Sequence, residues 1–146
     1  MRGQDKKKII IATLLLIICA AAIGFYMYNK GPVDVKNSTA LKTEAAALYD
    51  AYVTDSAAAQ KKYSGKVLLV HGIVSKVSDN QLGEMIVLIK TNDDAAFVNC
   101  TLQQKTADIN PNETIQVKGI CSGIGQGEPD LGIKGDVYLT QSLIVE

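Results

Sequence analysis

The 146-residue chain has no tryptophan, one histidine, three cysteines and three prolines. Each scarcity excludes something. One histidine and cysteines at 19, 100 and 121 make no recognised zinc-ligand spacing. No serine sits in a nucleophile elbow or a related local pattern. His71 alternates with Leu69 and Ile73 on an apolar stretch, the setting of a packing or rim residue and not of a general base. The sequence therefore predicts no catalytic residue, no metal site and no cofactor. Arginine is also missing from residue 31 onward, where ten lysines face fourteen carboxylates and leave a charge near −4. Such a surface is poorly suited to phosphate-rich partners.

The most informative absence is charge between Ile9 and Tyr28. Twenty apolar or small residues rise by about 1.5 Å each, enough for a hydrocarbon core of roughly 30 Å. Arg2 and Lys6 to Lys8 precede this run, while Lys30 and Lys36 follow with Asp34 between them. Positive charge stays cytoplasmic, so the N-terminus is expected inside and the rest outside. Tyr26 and Tyr28 suit an interfacial aromatic belt. Three alternatives compete with a retained anchor. Ala20-Ala21-Ala22 resembles a signal-peptidase site, but the run stays apolar through Gly24, Phe25 and Met27. Lipidation at Cys19 usually requires a small residue before the cysteine, and Ile18 is not small. A buried helix of a soluble protein would be shorter and would carry a polar face. The expected organisation is a basic segment over 1–8, a transmembrane anchor over 9–28, a linker over 29–38 and one small domain over 39–146.

That domain opens with helical signals over 39–63. Ser38 or Thr39 can cap a helix to about Val53, with Leu41, Ala45, Leu48 and Tyr52 at helical spacing. Asp55 can cap a second helix over 56–63, which ends in Lys61 and Lys62 and is stopped by Ser64-Gly65. Five strand-like segments follow, at 66–77, 84–91, 95–102, 114–122 and 136–145, separated by Asn/Asp/Pro turns and a glycine-rich stretch over 123–135. The first strand is apolar on both faces and holds Gly72 at its middle, where a strand bends at a barrel corner. The third and fourth alternate cleanly between a buried and a wet face. Gly123-x-Gly125-x-Gly127 is followed by no helix and flanked by Glu128 and Asp130, so it reads as a flexible connection and not a phosphate loop. The pattern predicts a mainly β domain with N-terminal helices, a small closed five-stranded barrel.

Ala46-Ala47-Leu48-Tyr49, then Ala57-Ala58-Ala59 through Lys62-Tyr63-Ser64-Gly65-Lys66-Val67, then Val70-x-Gly72-x-Val74, resemble the opening of the bacterial tRNA_anti-like family. Val98-x-Cys100 and Val117-Lys118-Gly119-x-Cys121-x-Gly123 resemble its later motifs, and the likeness covers roughly residues 40–146. Ser142 departs from it, standing where many relatives have a further cysteine. The resemblance implies an OB-fold-like Greek-key barrel behind an anchor; the family name is no evidence of tRNA binding. With only about ten residues, including Pro111, between the third and fourth strands, the region 39–63 is expected to close the barrel through Leu48, Tyr49, Tyr52 and Tyr63.

By strand parity Cys100 and Cys121 both point inward. An oxidising exterior would let them form a disulfide; the alternative is two buried free thiols. Phe97, Asn99 and Tyr138 share outward parity on the strands where OB-folds take ligands. They form either a stacking platform or a cross-strand pair that merely covers the sheet. The expected function is a non-catalytic binding or interaction module at the inner membrane, single-pass and extracytoplasmic, for an envelope protein, glycan or small ligand. The alternative is a single-stranded nucleic-acid-binding OB domain at the membrane, against which the acidic balance weighs.

Overall fold

A computed structural model describes residues 3–29, 31–106 and 108–145. Arg2 and Lys30, which flank the apolar run, lie outside the described residues. The chain divides into two compact units, Met1–Val33 and Asp34–Glu146.

The first unit is one helix, α1 (Gly3–Asn29). Its 27 residues extend about 40 Å, and it is long and apolar enough to cross a membrane. The Thr13 hydroxyl donates to the Ile9 carbonyl at 2.9 Å, which satisfies a polar side chain within the apolar run.

In the second unit β1 (Leu41–Glu44), α2 (Ala45–Thr54) and α3 (Ser56–Tyr63) precede five strands. These are β2 (Val67–Asp79), β3 (Met85–Lys90), β4 (Phe97–Leu102), β5 (Thr114–Ile124) and β6 (Val137–Val145). The order β2-β3-β4-β6-β5 closes through a β2–β5 pairing. Among these five strands the parallel pair is β4 with β6, the Greek-key crossing, and closure leaves a free edge only along the first half of β2, which has no β3 partner. The barrel is therefore OB-like. β2 serves both halves, with residues 67–73 against β5 and residues 74–79 against β3. The register shifts between Val74 and Lys76, a bulge where β2 passes from β5 to β3. Just before it lies Gly72. A Cβ on it would press into Ile89 and stand 3.1 Å from the Ala45 Cβ, so its lack of a side chain lets α2 dock on the wall.

Two expectations at the N-terminal side are corrected. The helix expected from residue 39 starts at Ala45, after a strand that pairs in parallel with Leu68 to His71. Half of β2 has no β3 partner, and this open edge recruits the segment in spite of its helical spacing. No side chain caps α2; the Ser38 hydroxyl donates instead to the Asp34 carbonyl at 2.6 Å. Within 34–38 that bond, Asn37 Nδ2 on Asp34 Oδ2 at 2.6 Å and a Val35 only 1% exposed make a folded turn where a linker was expected. α3 follows its signals, with Asp55 accepting from the Ala58 N–H at 3.0 Å. Leu48, Tyr49, Tyr52, Ala59 and Tyr63 join the barrel interior in one core with Leu68, Val70, Ile89, Val98 and Leu139, so the helices plug an end of the barrel.

Candidate ligand site

The outward residues of β4 and β6 build a wall. Asn99 is the register partner of Tyr138, and the Phe97 N–H donates to Asp136 Oδ1 at 2.9 Å, splicing the strand starts together. Tyr138 is 41% exposed and Phe97 and Asn99 are half-buried. The structure thus brings the three residues onto one surface. The Tyr138 ring lies over Gly125, where a Cβ would stand 2.7 Å from Cε2. Among the described residues the ring pair is Tyr52 with Tyr63, centroids 6.3 Å apart, in the core.

Gly125 leads into the connection expected to be flexible, and here the structure adds what sequence reasoning missed. Gly125 donates its N–H to Asp136 O at 2.8 Å, and Ile133 donates to Glu128 O at 3.0 Å. Pro129–Leu131 forms a 3₁₀ turn closed by Gly132 in the left-handed region (φ 67°). Side chains at Gly125, Gly127 or Gly135 would collide with facing backbone or with Tyr138. The glycines therefore serve close packing of two backbone segments, a folded flap on the barrel. Their spacing was the available signal.

Beneath the flap is a cleft of about 500 Å³, lined by Tyr49, Ile124, Pro129, Ile133, Lys134 and the glycine backbone. Three elements meet at its rim. Lys134 of the flap pairs with Asp93 of the β3–β4 loop, and Asn92 of that loop donates to Asp50 of α2 at 2.6 Å. The Lys134 ammonium and the Ala95 N–H hold the Asp93 carboxyl below the usual carboxylate range, while Asp93 raises Lys134. Burial, then the Asp93 charge, pushes the Tyr49 hydroxyl up, so Tyr49 faces the cleft as a neutral donor. The site offers aromatic and backbone surface and one paired cation, with the carboxylates of Asp50, Asp93 and Asp136 acting on Tyr49 and Glu128 and Asp130 within the flap sequence.

Cys100 and Cys121 are buried free thiols, and the disulfide allowed by parity is not formed. The reason is topological. Both register with Leu139 from opposite sides of β6, which sets them two strand spacings apart, roughly 8–10 Å, beyond the roughly 7 Å a disulfide tolerates. Cys121 instead shares the Tyr52 hydroxyl, at 3.4 Å, with Ser64 Oγ at 2.9 Å. Burial raises the Cys100 thiol far above its ordinary range. His71 is exposed on β2 between Glu44 and Gln116.

Strand order and closure define the class, an OB-type barrel. The sequence matches the tRNA_anti-like family over residues 1–131, and the chain belongs to that family. No curated protein matches it. Among solved structures it is similar to a crystal structure assigned as an aspartyl-tRNA synthetase from Leishmania major Friedlin, with 8% identity and a TM-score of 0.44. That match covers 79% of this chain and 23% of the synthetase chain, so the chain spans under a quarter of its length.

Proposed function

We propose that the chain is a non-catalytic binding module, an OB barrel held outside the inner membrane by α1 with the N-terminus inside. Lys6 to Lys8 before the apolar run support that orientation. The observation that carries the binding role is the cleft beneath the glycine flap beside the exposed Tyr138 ring. Its volume falls within the roughly 300–1,000 Å³ of small-molecule sites. A ring to stack on, a neutral hydroxyl and exposed backbone suit an uncharged ring-bearing ligand such as a sugar unit of a glycan. The surrounding carboxylates disfavour a polyanion. A second reading, single-stranded nucleic acid, draws on the neighbouring Phe97 and Tyr138.

The test is thermal unfolding of the detergent-solubilised full chain with oligosaccharides, nucleosides and an oligothymidylate. A sugar or nucleoside should raise Tm by a salt-insensitive amount that Tyr138→Ala removes. Stabilisation by the oligothymidylate alone, falling steeply with salt, would transfer the proposal to the second reading. No effect from any of them would reject a ligand site here.

A further inference from the structure

A second outer face of the barrel, made by β1, β2, β5 and the end of β6, has a different character. Register sets Lys42, Leu69, Lys118 and Leu143 in one row, Glu44, His71, Gln116 and Val145 in the next, and Ile73 with Thr114 in a third. Ile73 is 44% exposed on it. Two open grooves of about 350 and 290 Å³ cross this face and meet at His71.

The folded unit begins on this same face. Lys118 Nζ donates to the Lys36 carbonyl at 3.0 Å, and Val35 is buried outside the main core cluster. α1 ends at Asn29 and the second unit starts at Asp34, so the backbone between them reaches at most about 18 Å. Whatever surface holds α1 is thus within reach of the residues that carry Lys36. The facing charges are Lys36, Lys42 and Lys118 against Glu44 and Asp34, with Glu113 at the far edge. The Asp34 carboxylate is already engaged by Asn37 and by the Lys36 N–H. The denser carboxylates, at Asp50, Asp93, Asp94 and Asp136, belong to α2, the β3–β4 loop and the start of β6.

We infer that this face lies on the headgroups of the membrane that α1 spans, with Lys36, Lys42 and Lys118 against anionic lipid and Ile73 at the interface. The inference rests on the anchored reading above. Docking in this way covers the His71 grooves and leaves the Tyr138 wall as the free ligand surface.

The test uses the full chain in phosphatidylcholine nanodiscs with and without phosphatidylglycerol, pulsed with an amine-acetylating reagent and read by peptide mass spectrometry. Lys42 and Lys118 should react several-fold more slowly in the anionic discs, with Lys76 and Lys90 unchanged. In a Lys42→Glu, Lys118→Glu variant of unaltered circular dichroism, Lys36 should lose its own protection. Equal rates at Lys42 and Lys118 in both discs, or a Lys36 still protected in the variant, would overturn the inference while leaving the anchor intact. Release of the chain from the discs by alkaline carbonate would overturn the anchored reading, and this inference with it.

Discussion

Replacing Gly72 by alanine tests how the barrel end is closed. A Cβ there would come well under 3.0 Å from Ile89 Cγ2 and to 3.1 Å from the Ala45 Cβ. Ile89 is fully buried and Ala45 is 1% exposed, so neither neighbour has solvent to move into. Overpacking of this kind costs about 1–3 kcal/mol. The glycine's extra freedom in the unfolded chain offsets about 0.5 kcal/mol of it. The expected net loss is about 1.5 kcal/mol. With about 2.1 cal/mol/K per residue, the 113 residues of the folded unit convert that loss to a fall in Tm of about 6 °C. Ile89→Leu removes the branch at Cβ that makes the clash and should itself cost under about 1.5 kcal/mol. The double variant should then be more stable than additivity requires by about 1 kcal/mol. Thermal melts of the full chain in mild detergent, followed by circular dichroism, measure all four corners of the cycle. A Gly72→Ala protein as stable as the parent, or a cycle additive within about 0.5 kcal/mol, would refute the docking of α2 against a bare β2 backbone.

Three further outcomes follow from the core. Ser142 Oγ is buried without a hydrogen-bond partner among the described residues and packs against Gly119. Ser142→Ala should therefore stabilise by about 1 kcal/mol, raising Tm by about 4 °C, and a fall would mean the hydroxyl is satisfied. Burial, with the Cys121 contact, pushes the Tyr52 hydroxyl up to about 12 from 10.0. The unfolded chain then sheds this proton first as pH rises, so stability is full below pH 10 and falls between about 10 and 12; Tyr52→Phe should flatten that part of the denaturation profile, and an unchanged slope would contradict it. Cys100 and Cys121 should resist alkylation when folded and react equally with and without reductant when unfolded; a reductant-dependent difference would show a disulfide after all.

The sequence made much of the barrel legible because its strands obey strong local rules. Val98, Cys100 and Leu102 alternate with Asn99 and Thr101 and are buried in that alternation. Asp55 caps α3 by a local bond that needs no tertiary partner. The segment at 41–44 was not legible, since Leu41, Ala45, Leu48 and Tyr52 do sit at helical spacing. Only the open edge of β2, a property of the closed sheet, makes a strand of its start. Phe97, Asn99 and Tyr138 could be placed on one surface because parity decides it. Tyr49, Asp93 and Lys134 could not, because they meet through a helix and two loops far apart in sequence. The backbone contacts of the glycine-rich flap were not legible for a related reason. Spacing shows where side chains are missing, but not what backbone fills the room they leave.

The central claim, a barrel displayed outside a membrane by a single retained span, is tested most directly by protease protection in intact spheroplasts of a bacterial host, using epitope tags at both ends. The account predicts a full-length chain that stays with membranes through a carbonate wash, loses its C-terminal tag to external protease and keeps its N-terminal tag. A chain shortened at its N-terminus and released by the wash would contradict retention, and a protected C-terminal tag would contradict the orientation.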